Sequence, residues 1–277
     1  MNNIAIIARV TLREAARRKI LWTALFAGAL LLTVFAVALR LQVVEFQSRP
    51  MSPFVRYQVE SGMLMIGLYT CDLLAVVLTI LTSIETLSGE IGSGTIQAIA
   101  TKPISRTQLL VGKFVGFIGM IIVYVVITFY ATIAVAYSVT GVLPENPLHG
   151  LVLIIFECAL ALALTFLFGT WFSTLTNGVI VLGLQAVAFM GGWLEQVSGF
   201  SQSGHIVTLG VVSSLIMPGE SLWRRAAYEM QTPLAGSLSF SPFANVSIPS
   251  NSAIIYAGVY FCLAVCIAIH HFHERDL

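Results

Sequence analysis

Six apolar runs, each close to the roughly 20 residues a helix needs to cross a ~30 Å hydrocarbon core, constrain this chain more than any motif in it. They are Leu21–Leu39, Met63–Ile84, Phe114–Ser138, Leu151–Phe172, Gly178–Leu194 and Ala253–Phe272. In lipid, backbone N–H and C=O groups must be satisfied within a helix or around a closed barrel. Runs this long, without apolar/polar alternation, predict helices. Composition agrees, since 57% hydrophobic residues, 10% charged residues and a mean hydropathy of +0.91 exceed what soluble domains show. The expected fold is an all-α polytopic membrane protein, a single transmembrane domain over residues 1–277 built as a six-helix bundle.

Lys and Arg set the expected orientation, because short cytoplasmic flanks carry the positive excess. With the N-terminus inside, Arg9, Arg13, Arg17, Arg18, Lys19, Lys102, Arg106, Lys113 and Arg275 fall in the cytoplasm, nine against five outside (Arg40, Arg49, Arg56, Arg224, Arg225). Both termini are then cytoplasmic. Over residues 1–20, Ile4, Ile7, Ala8, Thr11, Leu12 and Ala15 share one side of a helix while Arg9, Arg13 and Arg17 share another. This predicts an interfacial helix along anionic headgroups, or a plain orienting flank. Ala36-Val37-Ala38 mimics a leader cleavage site, but the apolar run before it is too long for one, and no cleavage is expected. The net charge of +1 gives no nucleic-acid footprint.

The segment 85–113 is polar and punctuated. Gly89, Gly92 and Gly94 loosen the backbone, Thr95 opens a short apolar turn, and Pro103 stops it. Ser105 and Gln108 then form a capping-box pair, flanked by Ile104 and Leu109 at staple positions, which fixes the angle at which the chain enters the third span. A capped helix running from an elbow into a span would act as a lever. An ordinary tight connection is the alternative.

Polar groups inside the spans are costly and mark either interhelical bonds or pathways. Asp72 lies mid-span beside the hydroxyls of Tyr69 and Thr70, with no lysine or arginine at its depth in the runs, so a protonated or hydrogen-bonded carboxyl fits better than a salt bridge. Glu157, placed in the outer third of its span, and Gln185, in the middle of the fifth, join it as candidates for lining a pathway. In the last span Cys262, Cys266 and His270 recur every four residues. Cys262 and His270 would lie about 12 Å apart at ~1.5 Å per residue, so one ion cannot take all three; packed thiols and headgroup histidines are the default, and no metal site is expected. Between Gln196 and Ser252, the apolar stretch His205–Met217 is too short to cross, which predicts a re-entrant or interfacial helical region. Trp223 with Arg224 and Arg225 reads as an anchor at the headgroups in preference to a substrate gate.

Glu90, Gly94-Thr95, Lys102-Pro103-Ile104-Ser105-Arg106 and Gly112-Lys113, as spaced here, resemble the cytoplasmic loop of ABC-2 type (type V exporter-like) transporter permeases. The basic N-terminal helix, the six spans and the ending His273-Glu274-Arg275-Asp276-Leu277 are similar to the same family. Pro218 followed by Leu222-Trp223-Arg224-Arg225-Ala226 resembles a pattern in its copper-enzyme maturation group, such as the permease serving nitrous oxide reductase. The resemblance implies a permease pair, two copies of a separate ATP-binding subunit carrying ATP and Mg, and a bacterial cytoplasmic membrane, with a periplasmic partner for some members. It places Glu90, Gly94, Thr95, Lys102 and Pro103, with Ser105 and Arg106, in a cytoplasmic coupling helix region, and Arg9, Arg13 and Arg17 on the interfacial helix.

The chain carries no phosphate loop of its own, since Gly112-Lys113 lacks both the upstream glycine and a following Ser or Thr. It shows no enzymatic motif such as H-E-x-x-H or G-x-S-x-G, and no cofactor is expected in it. Two other classes stay open at this stage: an ion-coupled secondary transporter using Asp72, and a membrane scaffold that moves nothing.

Overall fold

Long apolar sequences with few breakers give long helices, and the computed structural model describes residues 3–17, 19–48, 52–92, 105–201, 204–231 and 248–274. Among these the helices are α1 (Asn3–Arg17), α2 (Lys19–Ser48), α3 (Pro53–Gly92), α4 (Arg106–Thr140), α5 (Pro147–Gly169), α6 (Thr174–Ser201), α7 (Gly204–Ile216), α8 (Gly219–Met230) and α9 (Asn251–Glu274). Six of them, α2 to α6 and α9, are long and apolar enough to cross a membrane. They overrun the apolar stretches read from the sequence. The 40 residues of α3, for instance, make ~60 Å of helix, twice the hydrocarbon thickness. Gly89 and Gly92, expected to loosen the backbone at the start of 85–113, do not do so, and α3 runs to Gly92 because an isolated glycine costs a helix only about 1 kcal/mol.

The bundle is organised around α5, whose stretch Cys158 to Leu164 is almost wholly buried and alternates alanine with leucine. Small residues let neighbouring helices come close where lipid offers no hydrophobic drive, and α3, α4, α6, α8 and α9 all pack on α5. Polar side chains bridge the same contacts. Asn177 Nδ2 on α6 donates to the Thr165 carbonyl on α5 at 3.0 Å, and the Cys71 and Thr132 side chains meet at 3.0 Å between α3 and α4. α2 and α9 sit at the edge, with most of their surface uncovered.

One face of the bundle gathers α1, the start of α4, the α5–α6 turn and the end of α9: Arg106 Nη1 donates to the His273 carbonyl at 3.1 Å, and the Trp171 and His271 rings lie 5.0 Å apart. We call it the terminal face. At the opposite face α7, ~20 Å long at 13 residues, folds back along α6 instead of crossing. The chain turns at Met217 and Pro218, and α8 climbs back out until the Met230 carbonyl accepts from the Glu145 N–H at 3.1 Å. The pair α7–α8 is thus a re-entrant hairpin, as the short apolar stretch predicted.

A helix ending inside a membrane strands carbonyls that water cannot reach. Here α9 supplies the donors, Tyr256 Oη to the Leu215 carbonyl at 2.5 Å and Tyr260 Oη to the Ile216 carbonyl at 3.0 Å. The double variant Tyr256→Phe, Tyr260→Phe should cost about 1–3 kcal/mol for each carbonyl left bare. Amide hydrogen exchange across 204–230 should rise while the six spans stay protected.

Candidate functional site

At the terminal face the capping box read from the sequence forms at the start of α4. The Gln108 N–H donates to Ser105 Oγ at 3.2 Å, and Gln108 Oε1 accepts from the Ser105 N–H at 3.3 Å and from Asn3 Nδ2 of α1 at 3.4 Å. One turn on, Gly112 and Gly116 let α1 lie directly on α4. A Cβ at Gly116 would sit 2.8 Å from the Ala8 carbonyl oxygen, and one at Gly112 would sit 2.7 Å from Ile7 Cβ. The two glycines therefore serve the docking of α1. Thr11 and Ala15 are buried and Arg9 and Arg13 are exposed, as expected for the two sides of α1. Leu12 departs from its expected side and is 40% exposed.

Of the other expected coupling residues, Glu90 lies in the last turns of α3, and Arg17 ends α1. Gly94, Thr95, Lys102 and Pro103, and with them the expected coupling helix, lie outside the described residues. Ser105 and Arg106 belong to the capped start of α4, held between α1 and the end of α9. Ser105→Ala should remove about 1 kcal/mol of local stability, read as faster exchange in the first turn of α4.

A second polar cluster lies near the middle of the spans. Asp72 of α3, Glu157 of α5 and Gln185 of α6 are all buried, and Gln185 Nε2 donates to Glu157 Oε1 at 3.0 Å. Glu157 lies near the middle of α5 and is 1% exposed, which corrects its expected place in the outer third, within reach of the interface. The carboxyls of Asp72 and Glu220 are within electrostatic reach of it. The tip of α8 closes over the pair, so that a Cβ on Gly219 would lie 3.0 Å from Glu157 Oε1 and 3.2 Å from Gln185 Oε1. The two residues beside Asp72 do not satisfy it. Tyr69 Oη donates to Glu220 Oε2 at 3.2 Å, and Thr70 Oγ1 to the Ile66 carbonyl at 2.8 Å.

The sequence reading missed Glu220 and Arg224. It set Trp223, Arg224 and Arg225 at the headgroups, but Trp223 is 2% and Arg224 4% exposed, inside the protein. The reason is the hairpin, which carries one face of α8 inward against α5 and α6. Arg225 instead pairs with Glu229 at 2.7 Å. A detectable signal existed, in that an apolar stretch too short to cross, broken at Pro218-Gly219 and followed by charges, marks a discontinuous helix with an end in the membrane. Burial pushes the Glu220 carboxyl up to about 8, against the opposing pull of Arg224 and the hydrogen bond from Tyr69.

Cys262 and Cys266 are exposed on α9, where the sequence reading had them packed, and His270 lies 3.4 Å from Glu274. Among the described residues no three His, Cys, Asp or Glu side chains come together closely enough to hold a metal ion. Between α2 and α3 runs a groove of about 630 Å³, lined by apolar side chains such as Phe35, Met63 and Leu74, and separate from the polar cluster. Residues 15–192 of the chain match the family model described as ABC-2 family transporter protein. No curated protein matches the chain.

Proposed function

Because the chain belongs to the ABC-2 transporter family, we propose that it is the membrane-spanning permease subunit of an ATP-binding cassette transporter, turning ATP hydrolysis in a separate subunit into export or mechanical work. The observation that carries this reading is the clasp at the terminal face. There the capped start of α4 is held by α1 through Gly112 and Gly116 and by the end of α9 through Arg106, so a push on the elbow moves a span and not a loose loop. The excess of Lys and Arg supports this as the cytoplasmic face with both termini inside, and the family resemblance supports a bacterial cytoplasmic membrane.

On this reading two ATP-binding subunits, carrying ATP and Mg, dock against 85–113 and α1. The uncovered faces of α2 and α9 are available to a second permease copy or to lipid. Nucleotide shifts the permease only because the partner holds it differently in its two states. Asp72, Glu157 and Gln185 line the path that this shift exposes. The pattern from Pro218 to Ala226 supports the copper-enzyme maturation group and, with it, a periplasmic partner of the kind some family members serve.

The test is co-purification with an ATP-binding subunit, then transport in proteoliposomes with and without ATP. Glu90→Lys or Lys102→Glu should leave the complex assembled and its ATPase running, but transport should fall by about tenfold or more. Transport driven by an ion gradient with no ATPase present would overturn the reading, as would unchanged coupling in both variants.

A further inference from the structure

We propose that the cluster formed by Asp72, Glu157 and Gln185 under the tip of α8 is a proton-binding site, and that the seating of the α7–α8 hairpin through Glu220 follows its occupancy. This goes beyond the permease reading and does not depend on an ATPase.

The first argument is an imbalance of donors and acceptors. Among the described residues, Asp72 Oδ1, Glu157 Oε2 and Gln185 Oε1 are buried acceptors without a hydrogen-bond partner, on side chains 3%, 1% and 8% exposed. The Gln185 amide is set into the site, since its Nε2 holds Glu157 and its Oε1 faces Gly219. An acceptor buried bare is costly, and a bare carboxylate more so. What the site lacks is a donor. A proton supplies it most economically, because the oxygen that takes it becomes an O–H and can donate to a neighbouring acceptor, while a negative charge disappears.

Size argues the same way. Gly219 backbone lies so close to Glu157 and Gln185 that even a methyl group there would crowd them, and the carboxyls do not gather tightly enough to hold a metal ion.

Charge completes the case. The site is faced from α3 by Asp72, Tyr69 and Cys71, from α5 by Glu157 and Cys158, from α6 by Gln185, and from α8 by Glu220 and Arg224. From α7 comes Ser214, which accepts from Arg224 Nη2 at 3.5 Å, while Tyr256 and Tyr260 of α9 are turned to the α7 carbonyls. His149, Arg225 and Glu229 lie at the far end of α8. Glu220 thus faces the guanidinium of Arg224, while Asp72 and Glu157 lie within electrostatic reach of Glu220. The start of α8 at Gly219 lies against Glu157, where a helix N-terminus favours an anion, so Asp72 and Glu220 are the carboxyls that gain by protonation. Losing the proton adds charge beside Glu220 and drives the tip of α8 off its seat.

The test uses the full chain in lipid nanodiscs, titrated from about pH 6 to about pH 9, either side of the value of about 8 at Glu220. Infrared difference spectra should show a protonated-carboxyl band near neutral pH. The band should diminish as pH rises and be weakened in Asp72→Asn or Glu220→Gln. After correction for intrinsic base catalysis, exchange across 204–230 should rise roughly tenfold over the same range in the native chain, the effect of losing about one hydrogen bond. It should stay flat in Glu220→Gln. No protonated-carboxyl band in the native chain, or a hairpin that responds to sodium and not to pH, would overturn the proposal. The infrared measurement on the native chain decides even if a variant misfolds. Since neither arm reads transport, failure here leaves the permease reading untouched.

Discussion

Alanine at Gly116 should release α1 from α4 while the six spans stay folded. The added Cβ would lie 2.8 Å from the Ala8 carbonyl oxygen and 2.8 Å from Thr11 Cβ, and a backbone carbonyl inside a helix cannot rotate away. Overpacking of this kind costs about 1–3 kcal/mol, enough to undo one helix docked along a narrow stripe. Gly112→Ala adds to the effect through Ile7 and the Ile4 carbonyl. Gly150→Ala is the control, because the group in its way is the Met230 side chain, an unbranched thioether that can shift, and its cost should stay within about 1 kcal/mol. Hydrogen exchange over residues 3–17 reads the difference directly. In the assembled transporter, Gly116→Ala should also lower transport per ATP hydrolysed, since the elbow loses its clasp. Native-like protection of α1 in this variant would mean that the close contact does not hold the helix.

The larger loss is expected from valine at Gly192. A Cβ at this position lands on the Glu220 side chain, 2.9 Å from its Cδ and 3.0 Å from Oε1. Glu220 has nowhere to go, being buried, held by Tyr69 Oη at 3.2 Å and facing Arg224. Pushing it out overpacks a closed site, at about 1–3 kcal/mol, and takes the acceptor from the buried Tyr69 hydroxyl, at about 1–3 kcal/mol more. That exceeds what one short hairpin can absorb, so α7–α8 should leave its seat with the remaining spans intact. Exchange in 204–230 should approach that of an unpacked segment. The sign of its pH dependence is set by Glu220, whose raised pKa of about 8 means that the folded hairpin keeps a proton the unfolded chain has already released. Seating is therefore fully favoured below the ordinary carboxylate range and weakens as pH rises from there through about 8. Gly192→Val should remove that dependence along with the seat.

Much of this architecture could be read from the sequence, because membranes enforce simple rules. Long apolar runs had to be helices, Ser105 and Gln108 had to face each other across one turn, and a 13-residue apolar stretch could not cross. Asp72, Glu157 and Gln185 stood out only as polar residues in apolar runs, yet the fold brings them to one place. What sequence spacing could not give was the direction in which short helices point. Arg224 beside Trp223 has the composition of a headgroup anchor, and only the turn at Pro218, which sends α8 along α5, buries both. The same holds for Gly112 and Gly116. Their spacing marks a helix contact, but nothing local says that the partner is α1. Cys262 and Cys266 suggested a packed stripe, whereas α9 sits at the edge of the bundle and turns them outward.

On the proposed function, a partner's ATP cycle moves this bundle through the clasp on α4. Hydrogen exchange of the permease co-purified with its ATP-binding subunit, compared with and without bound ATP, tests it most directly. Protection should change together at 3–17, at 105–113 and across the α7–α8 hairpin. Identical exchange at all three with and without nucleotide, in a complex whose ATPase is active, would contradict it.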